Sequence, residues 1–183
     1  IGVTYDGTGL GTDGQAWGGE VLVADLAGFQ RGVTLRPMAL PGGELAIRQV
    51  WRLALALLDD AFDGQPPLDE LALFRRVPES QTTLVRRMVA EKLNTPLAHG
   101  AGRYFDALGA LALATGQSAF EGQVAMRCDF AAHPAETGVY EFALETSSQP
   151  WSLDLRPMVR QATFDLVAGQ APALVCARCH NTL

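Results

Sequence analysis

The stretch Tyr5–Glu20, YDGTGLGTDGQAWGGE, places six glycines between two segments of strand character. On its N-terminal side Ile1, Val3 and Tyr5 alternate with Gly2 and Thr4. On its C-terminal side EVLVADLAGF, residues 20–29, is almost continuously apolar, as a centrally buried strand would be. Residues 6–19 therefore read as a hairpin loop. Its glycines permit positive φ and let backbone N–H groups converge on one point.

Gly9, Gly11 and Gly14 match G-x-G-x-x-G, but the dinucleotide fingerprint needs a helix directly after the loop, where the pyrophosphate sits on the helix N-terminus. Here the next segment is QAWGGEVLVADL, which is strand, so that reading fails. There remains a glycine hairpin that either simply turns the chain or cradles phosphate.

Outward from the hairpin, GVTLRPMAL (32–40) fits a third strand. From Glu44 the period changes: Ile47, Val50, Trp51, Ala54, Leu58 and Ala61 fall on one helical stripe. Ser80 is a candidate N-cap for a second amphipathic helix through residue 93, and a third spans about Gly102–Ala114. A fourth begins near Glu121. GVYEFALE and WSLDLRP are strand-like, and two helices close the chain. The order is strands, helices, strands, helices, without repeat or linker, which predicts one α/β unit with a helical insertion over about 44–97.

In the third helix Gly102, Asp106 and Gly109 share one face, bare except for a carboxylate. Either another helix packs closely there, with Asp106 paired to Arg103, or a ligand approaches; one carboxylate can accept from both hydroxyls of a ribose. Arg75, Arg76, Arg86, Arg87 and Lys92 are interrupted by acids and read as a solvated face, while His99 and His133 have no partner at metal-ligand spacing.

The formal net charge of −6 argues against a nucleic-acid partner. No apolar run reaches the roughly 18 residues of a membrane span, and IGVTYDGTG has no secretory character, so the expected compartment is the cytoplasm. Lack of an initiator methionine suggests a piece of a longer protein. Cys176, Cys179 and His180 spell C-x-x-C-H, the spacing of covalent haem attachment. Pro172, however, suits the first turn of a helix on which Cys176, Cys179 and Leu183 share an apolar face, so the cysteines read as core fillers and no haem is expected.

The motifs YDGTGLGTDGQAWGGE, LPGGE (40–44), AGRYFDALGAL (101–111), FEGQVAM (120–126) and HNTL (180–183) together resemble the HypF family of hydrogenase-maturation carbamoyltransferases. The resemblance spans essentially the whole chain and implies half of an actin-like ATPase (ASKHA) domain, the second lobe. It implies carbamoyl adenylate, made from carbamoyl phosphate and ATP, as donor. The acceptor would be the C-terminal cysteine of a HypE-type partner, on the way to the cyanide ligand of [NiFe]-hydrogenase; O-carbamoyl transfer to a small-molecule hydroxyl is the alternative. It places Gly7, Thr8 and Gly9 against phosphate or the carbamoyl group, with Gly18 and Gly19 closing the loop. Gly102, Arg103, Asp106, Glu121, Gly122 and Gln123 would hold the nucleotide. Asp6 would join a divalent metal, zinc or iron, whose other ligands lie outside these residues, so the chain alone would not form a complete active site. The family commonly reads ARFHNTL where this chain has Cys179, and small hydroxyl residues where it has Ala98, His99 and Gly100.

Overall fold

The computed structural model describes residues 1–183. Its frame is a seven-stranded mixed sheet. Strands β1 (Gly2–Leu10), β2 (Ala16–Ala24) and β3 (Phe29–Leu35) form an antiparallel meander, and β4 (Met38–Ala39) pairs with β5 (Leu97–Ala98) at one edge. At the other edge β7 (Trp151–Asp154) runs parallel to β3 and carries β6 (Ala143–Glu145). Parallel pairing also joins Ala16 of β2 to Ala98 of β5. This contact sets the segment before residue 100 beside the hairpin.

The helices are α1 (Glu44–Arg48), α2 (Trp51–Ala61), α3 (Glu79–Ala90), α4 (Ala101–Ala112), α5 (Gln123–Ala131), α6 (Arg156–Val167) and α7 (Pro172–Thr182). α2 is apolar nearly all round, which marks a central helix. Leu53, Leu55 and Leu58 are fully buried, and α2 packs on α4 and α6. The segment 44–97, expected as a helical insertion, contributes α2 to the middle of the core and, from beyond Ala61, the buried Leu71, Leu73, Phe74 and Val85 to the same cluster.

Four expectations need correction. The run 20–29 is not one buried strand, because a turn at Asp25–Gly28 divides it: Asp25 Oδ1 accepts the N–H groups of Ala27 and Gly28 at 2.7 and 3.0 Å. Val23, Leu26 and Phe29 are exposed there. The hairpin loop is shorter than 6–19, since the ladder continues through Gly9↔Trp17 and Leu10↔Ala16 after an irregularity between Tyr5 and Gly9. The stripe from Glu44 is two helices. At the break Ser118 N–H donates to the Arg48 carbonyl at 2.7 Å and Trp51 N–H to the Gly116 carbonyl at 3.3 Å, so a distant loop takes the groups that a continuous helix would pair internally. Ser80 does not cap α3, which starts at Glu79 behind Pro78 with no side-chain cap.

Candidate functional site

α4 starts where β5 delivers the chain to the hairpin. Glycine is required at that junction. A Cβ on Gly102 would lie 2.8 Å from the Gly7 Cα, and one on Gly100 would strike the Gly7 carbonyl. The backbone of Gly7 therefore rests directly on the first turn of α4. Further along the same helix face, a Cβ on Gly109 would meet Val124 and Cys128 of α5 at 3.0–3.1 Å. The bare face read from the sequence is thus covered at one end by hairpin backbone and at the other by a helix.

Asp106, between them, is only 1% exposed. Its Oδ2 lies 3.2 Å from Arg103 Nη2, the close-packing arrangement that the sequence left open beside the ligand reading. Arg103 is itself 2% exposed, and the same Nη2 donates to Glu121 Oε1 at 3.1 Å. Glu121 is mostly solvent-exposed. Neither Asp106 oxygen has a hydrogen-bond partner of good geometry, nor do Arg103 Nε and Nη1. One buried cation thus faces two carboxylates, one inside and one outside.

Burial pushes the Asp106 carboxyl up to about 6; Arg103 and the Ala125 N–H oppose the rise, and Glu121 adds to it. A folded-state value above the ordinary one means that the protonated form suits the fold. The associated stability is fully present below the unfolded value near 3.9 and is lost as pH rises through about 6. Two units correspond to about 3 kcal/mol. Between pH 4 and 7 the unfolding free energy of wild type, minus that of Asp106→Asn, is expected to fall by about that amount. Urea titrations across this range check it, and a flat difference would refute the assignment.

Three glycine N–H groups of the hairpin are held by neighbouring carboxylates, one at the surface and two inside. Gly7 N–H donates to Asp6 Oδ1 at 2.6 Å, and Gly18 and Gly19 N–H both donate to Glu20 Oε2 at 2.9 Å. Thr4 adds a third donor to that oxygen at 3.2 Å, and Glu20 is 3% exposed. In the arrangement seen, the N–H groups of these three glycines are taken by the chain's own carboxylates. Gly18 and Gly19 contribute close approach instead: a Cβ on Gly18 would sit 2.7 Å from the Asp6 carbonyl, and one on Gly19 2.6 Å from that of His99. Thr8 stands exposed at the lip and Gly9 pairs with Trp17.

At the tip, Asp13 Oδ1 accepts the Trp17 indole N–H at 2.9 Å, its Oδ2 pairs with Arg31 at 3.2 Å, and Arg31 lies 4.2 Å over the Trp17 ring. Neither this clamp nor the Glu20 anchor was assigned from the sequence. The signal available was an acid placed directly inside an apolar run, GGEVLV, where only a paired carboxylate is tolerated.

Around α5, Gly122 takes the left-handed conformation (φ +77°) that admits the chain to the helix. Gln123 Oε1 accepts the Ala119 N–H at 2.7 Å, so this side chain closes its own turn. His99 is buried; its Nδ1 faces the Leu35 carbonyl at 2.7 Å and its Nε2 the Gln15 side chain at 3.0 Å, tying hairpin to sheet. Cys176 and Cys179 lie in the core as read, and Cys128, distant in sequence, joins them with its Sγ 2.9 Å from that of Cys176. No three His, Cys, Asp or Glu side chains gather at metal-binding distances, and Asp6 stands as a single carboxylate.

A glycine hairpin laid on the first turn of a helix, with strands on one side and a helical layer on the other, defines an actin-like ATPase-type half-domain. The family model for "Carbamoyltransferase, Kae1-like Domain, second subdomain" matches residues 2–183, and the chain belongs to that family, the HypF carbamoyltransferases. It is 36% identical to the HypF of Rhodobacter capsulatus over 99% of its own length and 23% of that protein's. Against the HypF2 of Cupriavidus necator the identity is 44% over 69% of this chain and 15% of the relative. The chain therefore spans a quarter or less of these two relatives. A crystal structure of full-length HypF in the phosphate- and nucleotide-bound form superposes with a TM-score of 0.88 at 33% identity, covering 100% of this chain and 28% of that one. The HypF of T. kodakarensis, at 23% identity and a TM-score of 0.71 over 98% of this chain and 24% of its own, shares the fold.

Proposed function

We propose that this chain is the nucleotide-facing lobe of an enzyme that moves a carbamoyl group from carbamoyl adenylate, formed from carbamoyl phosphate and ATP, to the C-terminal cysteine thiolate of a HypE-type partner. The observation that carries the reading is the seating of the Gly7 backbone on α4 directly above the buried Arg103–Asp106 pair. The nucleotide- and phosphate-bound state of the structural relative supports it.

In this reading Gly7, Thr8 and Gly9 line the space for the phosphate and carbamoyl groups. Gly102, Arg103, Asp106 and the turn Glu121–Gly122–Gln123 form the nucleotide end, and Gly18 and Gly19 fix the hairpin's shape. Because Asp106 is buried, it acts on the nucleotide end through Arg103. In transfer, the partner's thiolate sulfur bonds to the carbamoyl carbon while the bond from that carbon to the AMP phosphate oxygen breaks, and AMP leaves with the electron pair. The chain needs no nucleophile of its own for this step. Its packed glycine backbone holds the mixed anhydride in line with the incoming sulfur. Asp6 supplies at most one ligand to a zinc or iron ion. The residues present do not make a metal site. The thiocarbamate product would feed synthesis of the cyanide ligand of [NiFe]-hydrogenase, a cytoplasmic process. No helix is long and apolar enough to cross a membrane.

The test is mass spectrometry of the HypE C-terminal peptide after incubation with the intact parent protein, ATP and carbamoyl phosphate. A gain of one carbamoyl group on the terminal cysteine is expected. Carbamoylation of a small-molecule hydroxyl, with the peptide unchanged, would shift the reading to O-carbamoyl transfer.

A further inference from the structure

We infer that Cys128 and Cys176 form an oxidation site apart from the hairpin, a dithiol that hydrogen peroxide closes into a disulfide between α5 and α7. The site stands whether or not the lobe transfers a carbamoyl group.

The two cysteines lie forty-eight positions apart, one on each helix, and the Cys128 S–H donates to the Cys176 sulfur at 2.9 Å. Both are buried free thiols. Most cysteine pairs cannot be bridged without backbone movement, but these sulfurs are only about 0.9 Å short of the bonding distance. Their closeness follows from how the helices pack. Glycine at 109 of α4 lets α5 come in closely, with the Cys128 Cβ 3.1 Å from where a Cβ on Gly109 would stand, and α7 packs on both helices.

Burial ordinarily leaves a cysteine inert, because the thiolate is the nucleophile and desolvation disfavours it. Here the S–H that Cys176 accepts from Cys128 draws its thiol below the ordinary value, against desolvation, so Cys176 is the attacking sulfur. Cys128, which donates that hydrogen bond and is buried, is pushed up and keeps its proton. Cys179 shares the face of α7 with Cys176, is pushed up by burial, and also stays a thiol. Burial selects the oxidant as well. Exchange with a disulfide the size of glutathione disulfide needs open access to sulfur, which these covered sulfurs deny. Hydrogen peroxide is little larger than water and enters through local opening of the closing helix.

In the first step the Cys176 thiolate sulfur bonds to one peroxide oxygen as the O–O bond breaks. Hydroxide leaves with the electron pair and takes the proton that Cys176 released, giving water and a sulfenic acid. The Cys128 sulfur then bonds to the Cys176 sulfur as the S–O bond breaks, and that hydroxide leaves with the Cys128 proton as a second water. The two thiols lose two electrons and the peroxide gains them. The bond closes a loop through β6, β7 and α6, which removes freedom from the unfolded chain.

The experiment exposes the folded, fully reduced parent protein to hydrogen peroxide, alkylates it under denaturing conditions and maps its peptides by mass spectrometry. The expected product is a peptide pair joined through Cys128 and Cys176, two hydrogens lighter than the free peptides together. Cys179 should be alkylated, and dithiothreitol should restore both thiols. Cys179→Ser should form the same bond. Cys128→Ser should form none and should instead carry on Cys176 a sulfenic acid that dimedone traps. Glutathione disulfide in place of peroxide should leave all three thiols free, and the oxidised wild type should unfold at a higher urea concentration than the reduced protein. Alkylation of both Cys128 and Cys176, under conditions that turn free cysteine in the same solution to cystine, would overturn the site. So would a bond from Cys176 to Cys179, a bond that forms only in urea, or a lower urea midpoint after oxidation. A glutathione adduct on any of the three would overturn the choice of peroxide. The wild-type map decides the matter even if Cys128→Ser folds poorly.

Discussion

Arg103→Ala is expected to lower the folding free energy by about 3–5 kcal/mol at pH 8, the scale for removing one partner of a buried pair. Arg103 and Asp106 are both almost fully buried, and Nη2 is the only guanidinium nitrogen with acceptors near it. Without the guanidinium, Asp106 keeps its desolvation and loses the charge that favours its ionised form, so its pKa rises above the value near 6 that it has in the wild type. Protonation then relieves the variant at low pH, and the loss at pH 5 should be smaller than at pH 8. Urea unfolding at the two values measures this. The variant Arg103→Met with Asp106→Leu, which removes both charges, should recover most of the pH 8 loss, because a buried ion pair exchanged for apolar side chains of similar bulk is often neutral. A double variant as unstable as Arg103→Ala would show that the loss is packing rather than charge.

This pair also marks where reading the sequence stops. The spacing of Arg103 and Asp106 along α4 was visible as a possible i, i+3 pair, and the two glycines flanking the carboxylate announced that something approaches closely. What approaches was open. It is two things: the hairpin backbone at Gly102 and α5 at Gly109. Both are far away in the chain, and no local pattern names them. The link to Glu121 crosses eighteen positions by way of a turn, and so it too is a tertiary fact.

The hairpin was legible because glycines at short spacing have few other uses. The strand after it was misread for a physical reason. Val23, Leu26 and Phe29 are apolar, yet they stand exposed on this chain, and an apolar run is the usual signature of burial. The turn signal was present: Asp25 with Gly28 three residues on is the composition of a type I turn, and the Asp25 carboxylate makes the matching bonds. The two closing helices and the strands at 143–145 and 151–154 were legible from period and punctuation alone. The break between α1 and α2 was not, because the hydrogen bonds from Trp51 and Ser118 that create it belong to a loop nearly seventy residues downstream.

Gly102→Ala tests the contact on which the functional reading depends. In an exposed helix interior the change would stabilise by about 0.8–1 kcal/mol through helix propensity. Here the new Cβ would fall 2.8 Å from the Gly7 Cα and 3.5 Å from the Asp6 carbonyl oxygen, and both are backbone atoms that cannot rotate away. The hairpin must lift. Overpacking of this kind costs about 1–3 kcal/mol, so the net stability change should be a loss of no more than about 2 kcal/mol. The effect on carbamoyl transfer should be far larger, about 100-fold in rate, because displacing a reactant by about 1 Å suffices for a loss of that size. Gly28→Ala is the matched control: no atom lies within 4 Å of its Cβ, and both stability and transfer should stay near wild type. Rates from the peptide assay, set against urea midpoints for both variants, separate the outcomes. A Gly102→Ala protein with wild-type transfer would show that the hairpin's seat on α4 does not position the reacting groups, and the site would have to lie elsewhere on the lobe.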